Sequence, residues 1–181
     1  TRLNYLRSAH PAAKPVSLDG EAAARIVDWY ARRNCDGIFA VCQSSEMAYL
    51  TEQEKLDIAR ATAEAVDGRI QVVASGHTAD DKATQFKELE DMMQIKGIGA
   101  YVLVSNRLDQ KNEGEAVFEA NAQEIFDRYP EIDFGIYECP MPWKRLVSTE
   151  FLRKAGQQGR MVFLKDTCCD YELVRERQAA V

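Results

Sequence analysis

Short apolar runs alternate with amphipathic helical stretches along this chain, and that alternation constrains the fold more than any other property of the sequence. The runs are Ile38-Phe39-Ala40-Val41-Cys42, Ile70-Gln71-Val72-Val73-Ala74, residues 100–104, residues 134–137 and Met161-Val162-Phe163-Leu164-Lys165. Around them the periodicity predicts helices over residues 21–30, 51–67, 80–96, 113–129 and 148–155, with a last helix starting near Tyr171. The first should bury Ile26, Val27 and Trp29 and end at Asn34 and Gly37. Thr51-Glu52-Gln53-Glu54 is a capping box, and Pro130 stops the fourth helix. Strands separated by helices at this spacing pair in parallel, because a parallel crossover needs a connection long enough to return the chain. A barrel or a doubly wound open sheet follows.

The 181 residues suffice for one sizeable core and are too few for two full-sized domains. Residues 1–181 are therefore read as a single (β/α) barrel domain. A closed barrel has eight strands and typically about 250 residues. Residues 1–15 hold no clear first strand, and the sequence stops just after the helix that follows Lys165. The expected fold is an α/β (β/α)8 TIM barrel, with this chain covering five to six of the eight strands and incomplete at both ends; an open sheet is the alternative. Bare parallel edges invite pairing, so a homo-oligomer, dimer or tetramer, is expected.

A net charge of −6 and scattered Lys and Arg residues provide no basic field, which argues against nucleic acid as a partner. No apolar run reaches membrane-spanning length, and residues 1–16 lack a secretory signal pattern. Cys35, Cys42, Cys139, Cys168 and Cys169 form no CxxC spacing, so reduced thiols, no metal site and a cytoplasmic location are expected.

Side chains alternate along a strand, so Phe163, Lys165 and Thr167 share one face of their strand, the interior one in a barrel, and Gly135, Tyr137 and Cys139 share a face of theirs that looks into the same barrel mouth. A lysine ending an apolar strand sits where its charged form is disfavoured, and a neutral amine is a nucleophile for ketones. Alone, such a lysine usually snorkels to solvent. Tyr137 ends the preceding strand on the same rim, where a phenol can relay protons, although most strand tyrosines simply pack. Ser44 and Ser45 follow the residue 38–42 run in a turn whose hydroxyls and amides suit a small carboxylate; ordinary turn chemistry is the plain reading of the same residues. Three polar groups at three strand ends gather on the rim where (β/α) barrels build sites. His77, on that rim too, is expected to be solvated, and Cys168 and Cys169 to be buried and inert.

These residues resemble the dihydrodipicolinate synthase and N-acetylneuraminate lyase family, class I aldolases that use pyruvate. The likeness runs from about Leu18 to Asp170. Asp19-Gly20 and Ile26-Val27-Asp28-Trp29 resemble the family's first helix, and Asp36-Gly37-Ile38-Phe39 its second strand. The Gly-Thr-Thr-Gly-Glu turn falls on Cys42-Gln43-Ser44-Ser45-Glu46. Leu50-Thr51-Glu52-Gln53-Glu54 matches the following helix start, Tyr137-Glu138-Cys139-Pro140 the Tyr-Asn-x-Pro signature, and Phe163-Leu164-Lys165-Asp166 the segment of the Schiff-base lysine.

The resemblance implies Lys165 as Schiff-base nucleophile, Tyr137 as proton relay and Ser44 as the hydroxyl linking the substrate carboxylate to Tyr137. Gln43 and Ser45 replace a threonine and a glycine of the carboxylate turn and are assigned to substrate binding. Ser105-Asn106-Arg107 stands where the synthases carry Pro-Tyr-Tyr, and Pro142 where they carry the arginine that binds the aldehyde's carboxylate. Arg107 and Arg145 are the candidates to hold an acidic acceptor instead; solvated loop charges are the plain alternative.

The function implied is a Schiff-base-forming lyase or aldolase acting on pyruvate or a related 2-keto acid and an aldehyde. Dihydrodipicolinate synthase itself, joining pyruvate to aspartate semialdehyde, is one alternative. A non-catalytic 2-keto-acid-binding relative is another. No cofactor is implied, since the lysine imine is itself the electron sink.

Overall fold

A computed structural model describes residues 18–181. The expectation that residues 1–15 lack a clear strand lies outside the described residues. Helix α1 (Gly20–Ala31) leads to β1 (Gly37–Ala40), α2 (Glu52–Val66) and β2 (Gln71–Ala74). Then come α3 (Lys82–Met93), β3 (Ala100–Val104), α4 (Glu115–Arg128), β4 (Phe134–Tyr137), α5 (Thr149–Gln157), β5 (Met161–Lys165) and α6 (Tyr171–Ala180). No described helix is long and apolar enough to cross a membrane.

Two compact units divide the chain: the described residues up to Gly76 together with Glu90–Gly99, and His77–Leu89 together with Ala100–Val181. In the first unit β1 and β2 pair in parallel, Ile38 opposite Val72 and Ala40 opposite Ala74. The capping box of α2 forms as expected, with the Thr51 hydroxyl accepting from the Glu54 amide and the Glu54 carboxylate accepting from the Thr51 amide at 2.8 Å. Asp67 and Gly68 end the helix with positive φ.

Helix α1 departs from its expected orientation. It buries Val27, whereas Ile26 and Trp29 are 58% and 50% exposed. The inward stripe runs through Ala23, Val27 and Ala31, spaced by one helical turn, and carries smaller side chains than the outward one. Trp29 stacks edge-on against Tyr30 and lies under the Arg33 guanidinium.

In the second unit β3, β4 and β5 pair in parallel in chain order. Strands β3 and β4 are buried along their whole length, as the near-continuous apolar runs of a parallel sheet covered on both faces require. Phe118 and Phe126 of α4 meet Phe151 of α5, and Phe126 also packs on Phe134 of β4, a continuous aromatic layer against one face of the strands. The Ser148 hydroxyl caps α5 through the Phe151 amide, and Asp170 caps α6.

Candidate active site

Tyr137 and Lys165 are the last residues of adjacent strands and stand directly opposite each other. A bulge creates that pairing. Phe134 faces Met161, but Gly135 faces Phe163, so the strand skips Val162. Without the extra residue Tyr137 would face Leu164, and the lysine would lie on the other side of the sheet. The Lys165 ammonium lies 4.4 Å from the centroid of the Tyr137 ring, within cation–π distance. Tyr137 is buried and Lys165 half-buried. Gly135 is required for the strands to approach: a Cβ there would lie 2.9 Å from the Cβ of Phe163 and 3.1 Å from its carbonyl oxygen.

Behind this pair lies a buried ionic cluster that the sequence reading did not single out. Glu138, fully buried, accepts the Val147 and Thr167 backbone amides at 2.8 and 2.9 Å and pairs with Arg177 of α6 at 2.8 Å. Arg177 also pairs with Asp166 and donates to the Val147 carbonyl. The Thr167 hydroxyl donates to the Glu138 carbonyl, and the Glu138 amide to the Lys165 carbonyl. The ends of β4 and β5, and with them Tyr137 and Lys165, are fastened together by these bonds. Burial raises the Asp166 carboxyl, but hydrogen bonds from Cys168 and the Arg177 guanidinium outweigh it and hold the group below its ordinary value. The Asp166 carboxylate in turn raises the Cys168 thiol.

Two candidate arginines are committed elsewhere. Arg145 pairs with Glu115 at 2.9 Å and with the buried Asp109 at 3.2 Å, its guanidinium over the Phe118 ring. Arg107 pairs with Asp80. Neither is a freely solvated loop charge: their side chains are 14% and 21% exposed.

Gln43, Ser44 and Ser45 belong to the first unit, in a 3-10 turn directly after β1. Val41 turns the chain there with φ of 54°, so β1 stops at Ala40 and not at Cys42 as the apolar run implied. A buried β-branched residue in that region is strained, and such strain collects at functional turns. The Ser45 hydroxyl accepts the Cys42 amide at 3.3 Å, and the Ser44 hydroxyl lies 3.1 Å from the Cys42 sulfur. Gln43 and Ser44 are exposed.

His77 is buried rather than solvated, because the Val104 amide donates to its Nδ1 at 3.0 Å. A neutral ring accepting there carries its proton on Nε2. Cys168 is partly exposed and Cys169 exposed, against the expected burial, since both lie in the polar turn between β5 and α6.

The sequence profile of the Dihydrodipicolinate synthetase family matches residues 9–118. This chain belongs to the dihydrodipicolinate synthetase family. The family match contains the residue 42–46 turn and ends before Tyr137 and Lys165. Over 89 residues, 49% of this chain and 30% of the relative, it is 34% identical to the 4-hydroxy-tetrahydrodipicolinate synthase of Saccharophagus degradans. It is 26% identical to 4-hydroxy-tetrahydrodipicolinate synthase 1 of Streptomyces coelicolor over 87% of this chain. The chain thus aligns with half the length, or less, of these two relatives. YagE, a prophage protein of the dihydrodipicolinic acid synthase family from E. coli K12 solved in complex with pyruvate, superposes with a TM-score of 0.77 at 19% identity. That match covers 91% of this chain and 54% of YagE. The fold is the family's TIM barrel, of which the described residues supply five strands.

Proposed function

We propose that this protein is a Schiff-base-forming class I lyase or aldolase acting on pyruvate or a related 2-keto acid together with an aldehyde. The observation that carries the reading is the direct opposition of Tyr137 and Lys165 at the ends of β4 and β5. Family membership supports it, as does the pyruvate in the YagE structure. The Lys165 amine, once deprotonated, attacks the keto carbon; the carbinolamine loses water as the imine forms. Tyr137 supplies and removes the protons of these steps, a contribution typically worth about 10²–10⁴ in rate. The imine acidifies the neighbouring carbon, which gives up a proton to become an enamine. The enamine adds to an aldehyde whose oxygen takes up a proton, and water then hydrolyses the imine to free Lys165. In the reverse direction the same enamine forms as a carbon–carbon bond is cleaved. Ser44 is assigned the substrate carboxylate, with Gln43 and Ser45 shaping its turn. No metal or organic cofactor enters this scheme. A homo-oligomer in the cytoplasm is part of the same proposal.

The named activity of the curated relatives favours a second reading, dihydrodipicolinate synthase itself. Pro142, Asn106 and Arg107 at the positions named above, and an Arg145 held by Asp109 and Glu115, weigh against it. Pyruvate-dependent inactivation by borohydride tests the imine, and its absence would leave the non-catalytic binding reading. Turnover of aspartate semialdehyde then separates the synthase from other aldolases.

A further inference from the structure

The segment after Tyr137 is pinned at every second carbonyl by the two residues that follow β3. The two N–H groups of the buried Asn106 amide are shared among the carbonyls of Cys139 at 3.1 Å, Met141 at 2.9 Å and Trp143 at 2.7 Å. The Ser105 hydroxyl donates to the carbonyl of Arg145 at 2.7 Å. The amide oxygen of Asn106 is buried without a hydrogen-bond partner. Such burial costs stability, so the residue's contribution lies in its NH₂ group.

Lys144 stands between the last two pinned carbonyls. It is exposed, and its ammonium donates to the Thr167 carbonyl at 2.8 Å, two residues beyond Lys165. An ammonium has three donors, and this bond uses one. Arg145, the neighbouring cation, is neutralised by Asp109 and Glu115.

We propose that Asn106 is a positioning residue for the second substrate: it fixes the residue 139–145 loop so that Lys144 is presented at the end of β5 to an anionic group on the aldehyde. The inference rests on the Schiff-base reading above. Lysine meets such a group as a point charge on a flexible stem, and Asn106 supplies the fixed base for that stem. An aspartate at 106 would keep the shape while turning a carboxylate toward three carbonyl oxygens.

The test uses the intact protein, pyruvate and two aldehydes of equal chain length, anionic succinic semialdehyde and neutral butanal. The parent protein should consume pyruvate with succinic semialdehyde at the lower KM. Lys144→Met should raise that KM about 10- to 100-fold, leaving the KM for butanal and the borohydride trapping of pyruvate at Lys165 unchanged. Lys144→Arg should restore most of the loss. Asn106→Ala and Asn106→Asp should reproduce the Lys144→Met pattern and speed amide hydrogen exchange over residues 139–145. If the Asn106 variants fail to fold, the two Lys144 variants decide. An unchanged KM, an equal change for both aldehydes, or turnover of neither by the parent overturns the proposal. Failure of pyruvate to trap on Lys165 brings down the proposed function; intact trapping with aldehyde-indifferent variants brings down only this inference.

Discussion

Glu138 and Arg177 meet in a fully buried ion pair that joins the end of β4 to the final helix. The pair does not stand alone, since Glu138 also holds the amides of Val147 and Thr167 and Arg177 also holds Asp166. Both charges are therefore solvated by protein. Removal of one partner strands the other, which typically costs about 3–5 kcal/mol. Glu138→Ala should lose about 3 kcal/mol of unfolding free energy, with the second interaction from Asp166 limiting the loss. Chemical denaturation of parent and variant measures it.

The close approach of β4 and β5 rests on Gly135. A methyl group there meets the Cβ and carbonyl oxygen of Phe163, so one strand must shift. Gly135→Ala should destabilise the protein by about 1–3 kcal/mol, the usual range for overpacking a well-filled site. It should also slow pyruvate imine formation, because the strand it displaces carries Lys165. Thermal denaturation paired with borohydride trapping checks both.

Asp166 predicts one limb of the acid stability curve. Its folded value lies below its unfolded one, so its contribution is fully present above the ordinary aspartate value of about 3.9 and fades as pH falls through the lower folded value. Asp166→Asn should remove that part of the acid-limb slope in denaturation series between about pH 5 and pH 2. The same variant deprives the Cys168 thiol of the carboxylate that raises it, so Cys168 should react faster with iodoacetamide at pH 8. Peptide mass spectrometry reads that rate.

Where one residue and its near neighbours decide the outcome, the sequence was informative. Thr51 and Glu54 form the expected capping box, and the runs at 100–104, 134–137 and 161–165 are β3, β4 and β5 without a residue's difference. Tyr137 and Lys165 were both legible as strand ends. That they oppose each other was not, because the skipped Val162 gives no local signal in a run of apolar residues. Ile26 and Trp29 misled for a related reason: hydrophobicity marks a helix face worth burying, but the Ala23, Val27 and Ala31 stripe permits closer packing. Asn106 acts through carbonyls more than 30 residues away, and Glu138 joins Val147, Thr167 and Arg177 from three separate segments; neither belongs to a pattern that names its partners.

Tyr137 should prove separable from Lys165. Tyr137→Phe keeps the buried ring over which the ammonium lies and removes only the hydroxyl. It should fold normally and still form the pyruvate imine, about 10²- to 10⁴-fold more slowly. Stopped-time trapping with borohydride gives the rate. An unchanged rate would remove Tyr137 from the proton-transfer steps.

The central claim is that Lys165 forms a covalent imine with a 2-keto acid. Incubation with pyruvate and sodium borohydride, followed by digestion and mass spectrometry of the residue 161–175 region, tests it directly. The expected result is a reduced pyruvate adduct on Lys165 that requires both reagents and disappears in Lys165→Ala. An unmodified Lys165 under these conditions, or an adduct carried by a different lysine, would contradict the account.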